Sequence, residues 1–332
     1  MTNPIPECAA PVERVPTRDG VLRAAAKIAA LLPETPLLPL DLPGRGTVWC
    51  KAESLQPVGA FKIRGAWHRM SDLSSEDRQR GVIAVSSGNH AQGVAWAARR
   101  LGVAATIVMP SDAPTVKLDA TRALGADIVL YDRMRESRDA IAGDLCAQTG
   151  AVLVHAYGDP WVIEGQGSAG IELATQMERH AGGAPTRIVC SCGGGGLTAG
   201  LALACPDTEI VPVEPEGWDD VTRSLAAGAI LPLGKNPPKT ACDALQTPIT
   251  FPINFAVMTS RGMQGVTVSE AEVRAAQRLA FARLRLVIEP GGAAGLAALL
   301  AGKVPSDGRT AVILSGGNVD PQAFTAVIAG KD

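Results

Sequence analysis

The stretch Arg187-Ile188-Val189-Cys190-Ser191-Cys192-Gly193-Gly194-Gly195-Gly196-Leu197-Thr198-Ala199-Gly200 decides the fold class. Its first four residues read as a short buried strand, and the small-residue run after the glycines reads as the start of a helix. Four successive glycines remove every side chain from the strand-to-helix turn. Backbone N–H groups can then surround a phosphate at the positive end of the helix. A following Lys-Ser/Thr pair is missing, so this is not a Walker loop, and the glycines lack the spacing of the dinucleotide fingerprint.

Outward from this turn the same alternation repeats. Val82 to Val85, Ala105 to Met109, Asp127 to Tyr131, Ala151 to His155, Glu209 to Val213 and Thr310 to Leu314 read as buried strands. Their continuous Val/Ile/Leu character suits parallel strands covered on both faces. Ala91 to Leu101, Thr115 to Leu124, Ser137 to Gln148 and Val162 to His180 read as helices between them. The pattern predicts an α/β protein of two open, doubly wound, mainly parallel-sheet lobes. Ser269 and Glu272 form a capping box that opens a long helix through about Leu284. Gly228 to Pro252 reads as an irregular crossover.

Composition narrows the function classes. Of 332 residues 46% are hydrophobic and 19% charged, enough for a folded body without staples. Lys plus Arg number 31 against 33 Asp plus Glu, so no broad field attracts nucleic acid or anionic lipid. The first twenty residues lack a signal peptide's apolar stretch. The stretch Gly291 to Gly302 falls short of the roughly 18 apolar residues of a membrane span. Seven scattered cysteines suit reduced thiols, and a cytoplasmic protein is expected. Cys190 and Cys192 form the one close pair and read as buried thiols rather than zinc ligands.

Three further segments carry chemistry. In Val58-Gly59-Ala60-Phe61-Lys62-Ile63-Arg64-Gly65, the lysine falls in the first turn of a helix between apolar neighbours, where desolvation lowers an amine's pKa toward nucleophilic use. Position alone favours a solvated lysine, and the partner segments reverse that. Val85-Ser86-Ser87-Gly88-Asn89-His90 turns from strand to helix with donors suited to a carboxylate. Leu314-Ser315-Gly316-Gly317-Asn318 places a hydroxyl at a strand's carboxyl end, where open α/β sheets bind ligands.

Together, in this order, the four segments resemble the fold-type II pyridoxal-phosphate enzymes, in the threonine dehydratase and serine racemase branch. The resemblance runs from Thr35-Pro36-Leu37 to Asn318. It implies that Lys62 forms the Schiff base and removes the substrate α-proton, with Phe61 beside the ring. Asn89 would bond the ring hydroxyl, Gly193, Gly194, Gly195 and Gly196 with Leu197 would hold the phosphate, and Ser315 would face the pyridine nitrogen. Glu289, in Val287-Ile288-Glu289-Pro290, matches a residue near the ring, although an ordinary strand-end acid would look the same. Ser86, Ser87, Gly88, Asn89 and His90 would receive the substrate. Ser87 would also act catalytically on the opposite face of the ring, permitting racemisation.

The implied reaction is dehydration and deamination of a small β-hydroxy amino acid, such as threonine or serine, to a 2-oxo acid and ammonia. Serine racemisation, or dehydration of threo-3-hydroxyaspartate or phenylserine, is the alternative; a non-catalytic pyridoxal-phosphate carrier is a third reading. Arg138 aligns with a substrate-side arginine that could grip a second carboxylate, although its position equally suits a surface helix charge. Glu214 and Asp220, with the Trp218 carbonyl, resemble a site for a divalent cation such as Mg or Ca. A solvated acidic loop is the bland counterpart. Residues 1–78 with 153–332 are expected to form the large lobe and 79–152 the small mobile lobe. A homodimer and the absence of a C-terminal regulatory domain follow from the same resemblance.

Departures fall near the substrate. Ala60 stands where a serine is usual, and Leu38-Pro39-Leu40 where hydroxyl residues are common. His155-Ala156-Tyr157-Gly158-Asp159 replaces a His-Pro-Phe type of loop, and Cys242-Asp243-Ala244 replaces Ala-Asp-Gly. Gly165-Gln166-Gly167 is kept. The side-chain pocket is thus left open between threonine-sized, β-aryl and acidic substituents.

Overall fold

The computed structural model describes residues 14–86, 88–113, 115–234 and 236–330. Ten strands run in chain order: β1 Leu37–Leu42, β2 Gly46–Lys51, β3 Val82–Val85, β4 Ala105–Pro110, β5 Asp127–Tyr131, β6 Val152–Leu153, β7 Arg187–Ser191, β8 Glu209–Pro215, β9 Val266–Val268 and β10 Thr310–Ile313. They form a six-stranded sheet, β1-β2-β10-β7-β8-β9, and a four-stranded sheet, β5-β4-β3-β6. Every pairing is parallel except the β1–β2 hairpin. The two-lobed, mainly parallel architecture is the one the alternating pattern predicts.

Strand period two explains how both faces of the large sheet are filled. Ile188, Ile210 and Ala311 share one register and pack with Leu173, Met177 and Leu201 from the helices Pro160–His180 and Gly196–Ala204. One residue on, Val189, Val211 and Val312 turn to the opposite face. There they meet Val273, Leu296 and Leu299 from the helices Glu270–Leu279 and Pro290–Ala301. Each such buried Val, Leu, Ile or Met side chain contributes about 1.5–3 kcal/mol. In the small sheet, Ile107 and Met109 face the helix Asn89–Leu101, while Val108 faces Arg138–Thr149.

Two expectations change, at the capping-box helix and at the Ala151 to His155 strand. The capping box at Ser269 is present, but its helix stops at Leu279. A wide π turn, Ala280–Leu284, follows and ends with Arg285 at φ 60°. The glycine-broken apolar stretch after Gly291 is a buried helix, Pro290–Ala301, whose every face is covered. The pattern from Ala151 to His155 pairs as strand only over Val152–Leu153. No helix among the described residues is long and apolar enough to cross a membrane.

The helix Pro160–His180 joins the parts of the site. Pro160 begins it, and the Asp159 carboxylate caps it by accepting from the Trp161 and Val162 N–H groups. Its glycines then let two neighbours approach closely. A Cβ on Gly165 would lie 2.5 Å from the Gly65 Cα, in the helix Lys62–Ser71, and one on Gly167 would lie 2.5 Å from the Gly200 carbonyl oxygen, in Gly196–Ala204. The helix carrying Lys62 and the helix behind the glycine run are thereby packed against one rod.

Candidate active site

A cleft opens between the lobes. It gathers Phe61, Lys62, Ser86, Gly88, Asn89, His90, Arg138, the run Ser191 to Thr198, Glu289 and Ser315. Four segments remote in sequence therefore meet in one place. Ser87 lies outside the described residues.

Lys62 opens its helix directly after Phe61, whose N–H donates to the Ser315 carbonyl at 3.0 Å. An isolated bridge between Ala60 and Gly316 further ties this segment to the end of β10. The Lys62 Nζ donates to the Ala156 carbonyl at 2.7 Å and lies 5.2 Å from the Phe61 ring centre. Burial pushes the amine down to about 8. The cause is desolvation, which disfavours the charged form of an amine. Near neutral pH a useful fraction is therefore the nucleophilic free base.

The glycine run follows β7. Gly195 sits at φ 89° as the N-cap of the helix Gly196–Ala204, a conformation costly for any other residue. A Cβ on Gly194 would collide with the Tyr157 ring, and one on Gly193 would fall 2.9 Å from the Thr247 Oγ1. The Gly194 carbonyl accepts from the Thr250 hydroxyl at 3.1 Å and the Asn254 amide at 2.6 Å. The first N–H groups of the helix lack intrahelical partners, which makes this turn an anion seat.

On the other wall, the Asn89 amide donates to the Glu289 carboxylate at 2.5 Å, and its oxygen accepts from Asn318 at 2.8 Å. The second Glu289 oxygen is buried without a partner, and burial raises that carboxyl to about 7. The Ser86 hydroxyl accepts from the Gly88 N–H at 3.2 Å. His90 donates from Nε2 to the Val154 carbonyl at 2.8 Å, and burial, with Lys62 nearby, pushes it down to about 3, so the ring is neutral. Arg138 starts the helix Arg138–Thr149 and lines the cleft, its side chain a third exposed and 3.9 Å from the Asp139 carboxylate. It also lines a neighbouring, mainly apolar cavity walled by His155, Tyr157 and Phe251. Lys117, Tyr157, Asp243 and Thr247 also face the cleft. The resemblance sets the segments holding Tyr157 and Asp243 near the substrate without giving either residue a role, and Lys117 looks like any helix-surface lysine.

Glu214 ends β8 and is fully buried, accepting from the Val221 N–H at 3.1 Å and from the Thr222 N–H and hydroxyl, both at 2.6 Å. Asp220, equally buried, keeps one oxygen without a partner. Burial raises Glu214 to about 8 and Asp220 to about 7. Trp218 donates its indole N–H to the Pro238 carbonyl at 2.8 Å. Among the described residues no group of three or more His, Cys, Asp or Glu forms a metal cluster, so any cation here would rely on carbonyl or water oxygens besides these two acids.

The cleft defines a class of protein: an α/β enzyme that seats a phosphate on a helix N-terminus beside a desolvated amine. Residues 28–316 match the family described as pyridoxal-phosphate dependent enzyme, and the chain belongs to it. It is 39% identical over 326 residues to L-threo-3-hydroxyaspartate ammonia-lyase of Saccharomyces cerevisiae, covering 96% of this chain and 98% of that one. It is 36% identical over 318 residues to serine racemase of Schizosaccharomyces pombe, covering 93% and 96%. Among solved structures, maize serine racemase superposes with a TM-score of 0.85 at 32% identity, covering 96% of this chain and 98% of the other. The crystal structure of a T.th. threonine deaminase superposes with a TM-score of 0.83 at 43% identity, covering 92% and 99%.

Proposed function

We propose that this chain eliminates water from a small β-hydroxy amino acid, in the manner of threonine or serine dehydration, and that hydrolysis of the resulting imine takes that water back and releases ammonia, leaving a 2-oxo acid. The observation that carries the reading is the buried Lys62 amine, held by the Ala156 carbonyl, in one cleft with the glycine seat and the Ser86 to His90 loop. The residues present suit pyridoxal phosphate: an amine for its aldehyde, a side-chain-free cradle for its phosphate, and a neutral hydroxyl at Ser315. When bound, pyridoxal phosphate supplies an electron-withdrawing ring that acidifies the α-C–H of an amino acid joined to it.

The chain's own groups do the rest. Backbone N–H groups of Gly193 to Leu197 hold the phosphate. Phe61, Asn89 with Glu289, and Ser315 line the same cleft and would hold the cofactor's ring, Phe61 beside it, Asn89 at its hydroxyl and Ser315 as a neutral partner for its nitrogen. The loop from Ser86 to His90 holds the substrate carboxylate. With the cofactor bound, Lys62 would take the substrate α-proton as general base, and the hydroxide departing from the β-carbon would leave as water once protonated. Ser87, assigned by resemblance to the opposite face, supplies a proton there when racemisation is the outcome. In this reading residues 79–152 close as a small lobe over a large lobe of 1–78 and 153–332. The chain works as a cytoplasmic homodimer, with Mg or Ca held by Glu214, Asp220 and the Trp218 carbonyl.

Arg138 at the cleft favours a second reading in the same site, in which the β-substituent is itself a carboxylate, as in threo-3-hydroxyaspartate. The test is a panel of L- and D-serine, threonine, hydroxyaspartate and phenylserine, scored for 2-oxo acid and for enantiomer exchange. Arg138→Ala should spare serine turnover and abolish hydroxyaspartate turnover if the acidic substrate is the true one. Equal loss, or none, removes that reading, and no 2-oxo acid from any substrate removes the first.

A further inference from the structure

The substrate loop and the phosphate seat belong to different lobes, and elimination needs them in register to within about an ångström. One contiguous set of contacts spans the gap. Lys117, on the helix Thr115–Ala123, is 6% exposed. Its stem runs along the substrate loop, since a Cβ on Gly88 would lie 3.0 Å from the Lys117 Cδ and 3.3 Å from its Nζ. The ammonium donates across the cleft to the Asp243 carboxylate. Asp243 begins the short turn Asp243–Leu245, which packs on the phosphate seat. A Cβ on Gly193 would lie 3.5 Å from the Leu245 Cα and 3.7 Å from the Ala244 carbonyl oxygen.

We infer that Lys117 and Asp243 are positioning residues, their ion pair bolting the Ser86 to His90 loop to the glycine seat and setting the closed cleft. Neither side chain is needed to hold phosphate or to move a proton. They stand 126 positions apart in sequence and on elements linking strands of different sheets, so their contact depends on how the two lobes are set against each other. The Asp243 side chain is 33% exposed, so water screens the pair, and it is weak enough to break and re-form as substrate enters and product leaves. Asn89, which reaches Glu289 and Asn318 on the large lobe, is clamped by the same closure.

The inference rests on the proposed elimination only for its kinetic readout, so the experiment carries two. Holoenzymes of Lys117→Met, Asp243→Asn, the double variant, and the reversed pair Lys117→Asp with Asp243→Lys are compared with the native protein. KM and kcat for L-serine form one arm, and amide hydrogen exchange over residues 88–101 forms the other. Each single variant should raise KM ~10-fold with a smaller change in kcat, and speed exchange ~10-fold, while the cofactor's visible band is kept. The double variant should be no worse than the worse single one, and the reversed pair should recover part of the loss. Additive losses, or native KM and exchange in Asp243→Asn, overturn the inference. Asp243 is exposed enough that its variant folds even if Lys117→Met does not. If the native protein turns over no hydroxy amino acid, the proposed function fails, and the exchange arm alone decides the bolt by the same criteria.

Discussion

Gly167 and Gly200 meet backbone to backbone: a Cβ on Gly167 would fall 2.5 Å from the Gly200 carbonyl oxygen, and one on Gly200 would fall 2.6 Å from the Gly167 nitrogen. Two helices can approach this closely only where neither carries a side chain. The contact sets where the phosphate seat stands relative to the rod, as Gly65 and Gly165 set where Lys62 stands.

Gly167→Ala is therefore expected to force the helices apart. The atom it meets is backbone and cannot swing away, so a loss of about 1–3 kcal/mol is expected, seen as a melting temperature several degrees lower and weaker cofactor retention. Gly234→Ala, where a Cβ meets nothing within 4 Å, is the control and should melt with the native protein. Equal melting of the two variants would contradict the close-packing account.

The Lys62 amine gives a stability signature in the apoprotein. It releases its proton near pH 8 in the folded chain, but near pH 10.4 when unfolded, so between these values the unfolded state binds the extra proton. Its burial thus costs stability below pH 8, and that cost fades as pH rises toward 10. The interval is worth roughly 3 kcal/mol at most. Lys62→Met should be more resistant to urea than the apoprotein at pH 7, with the difference shrinking by pH 10. A difference independent of pH would show that the amine is not desolvated. The same variant should lack the cofactor's visible band.

At Glu214 and Asp220, millimolar Mg or Ca should raise the melting temperature by a few degrees through binding to the folded state alone. Asp220→Asn, which removes charge at the oxygen lacking a partner, should abolish that response. An unchanged melting curve for the native protein with either cation would remove the metal from the proposal.

Much of this architecture is legible residue by residue. The parallel strands announce themselves because both their faces are buried, so Val82–Val85 and the middle of Arg187–Ser191, residues 188–190, carry unbroken apolar runs. Glycines flag the seat because no other residue fits beside Tyr157. The β1–β2 hairpin escapes notice because Pro39 interrupts one arm, which lies at the sheet edge where a missing N–H is tolerated. The helix Pro290–Ala301 lacks a polar stripe because it is wrapped on every side. Lys117 is invisible for a different reason: its meaning comes from Asp243, and nothing local marks a partner across a cleft.

The rod Pro160–His180 has a mechanical consequence. Because the amine and the phosphate seat hang from opposite flanks of one stiff member, thermal rocking of that member carries both as a unit and leaves their spacing unchanged. In the proposed closure of the lobes, motion would then fall on the substrate's side of the cleft. The prosthetic group can sit in a stationary frame while the loops that admit and release small molecules move past it.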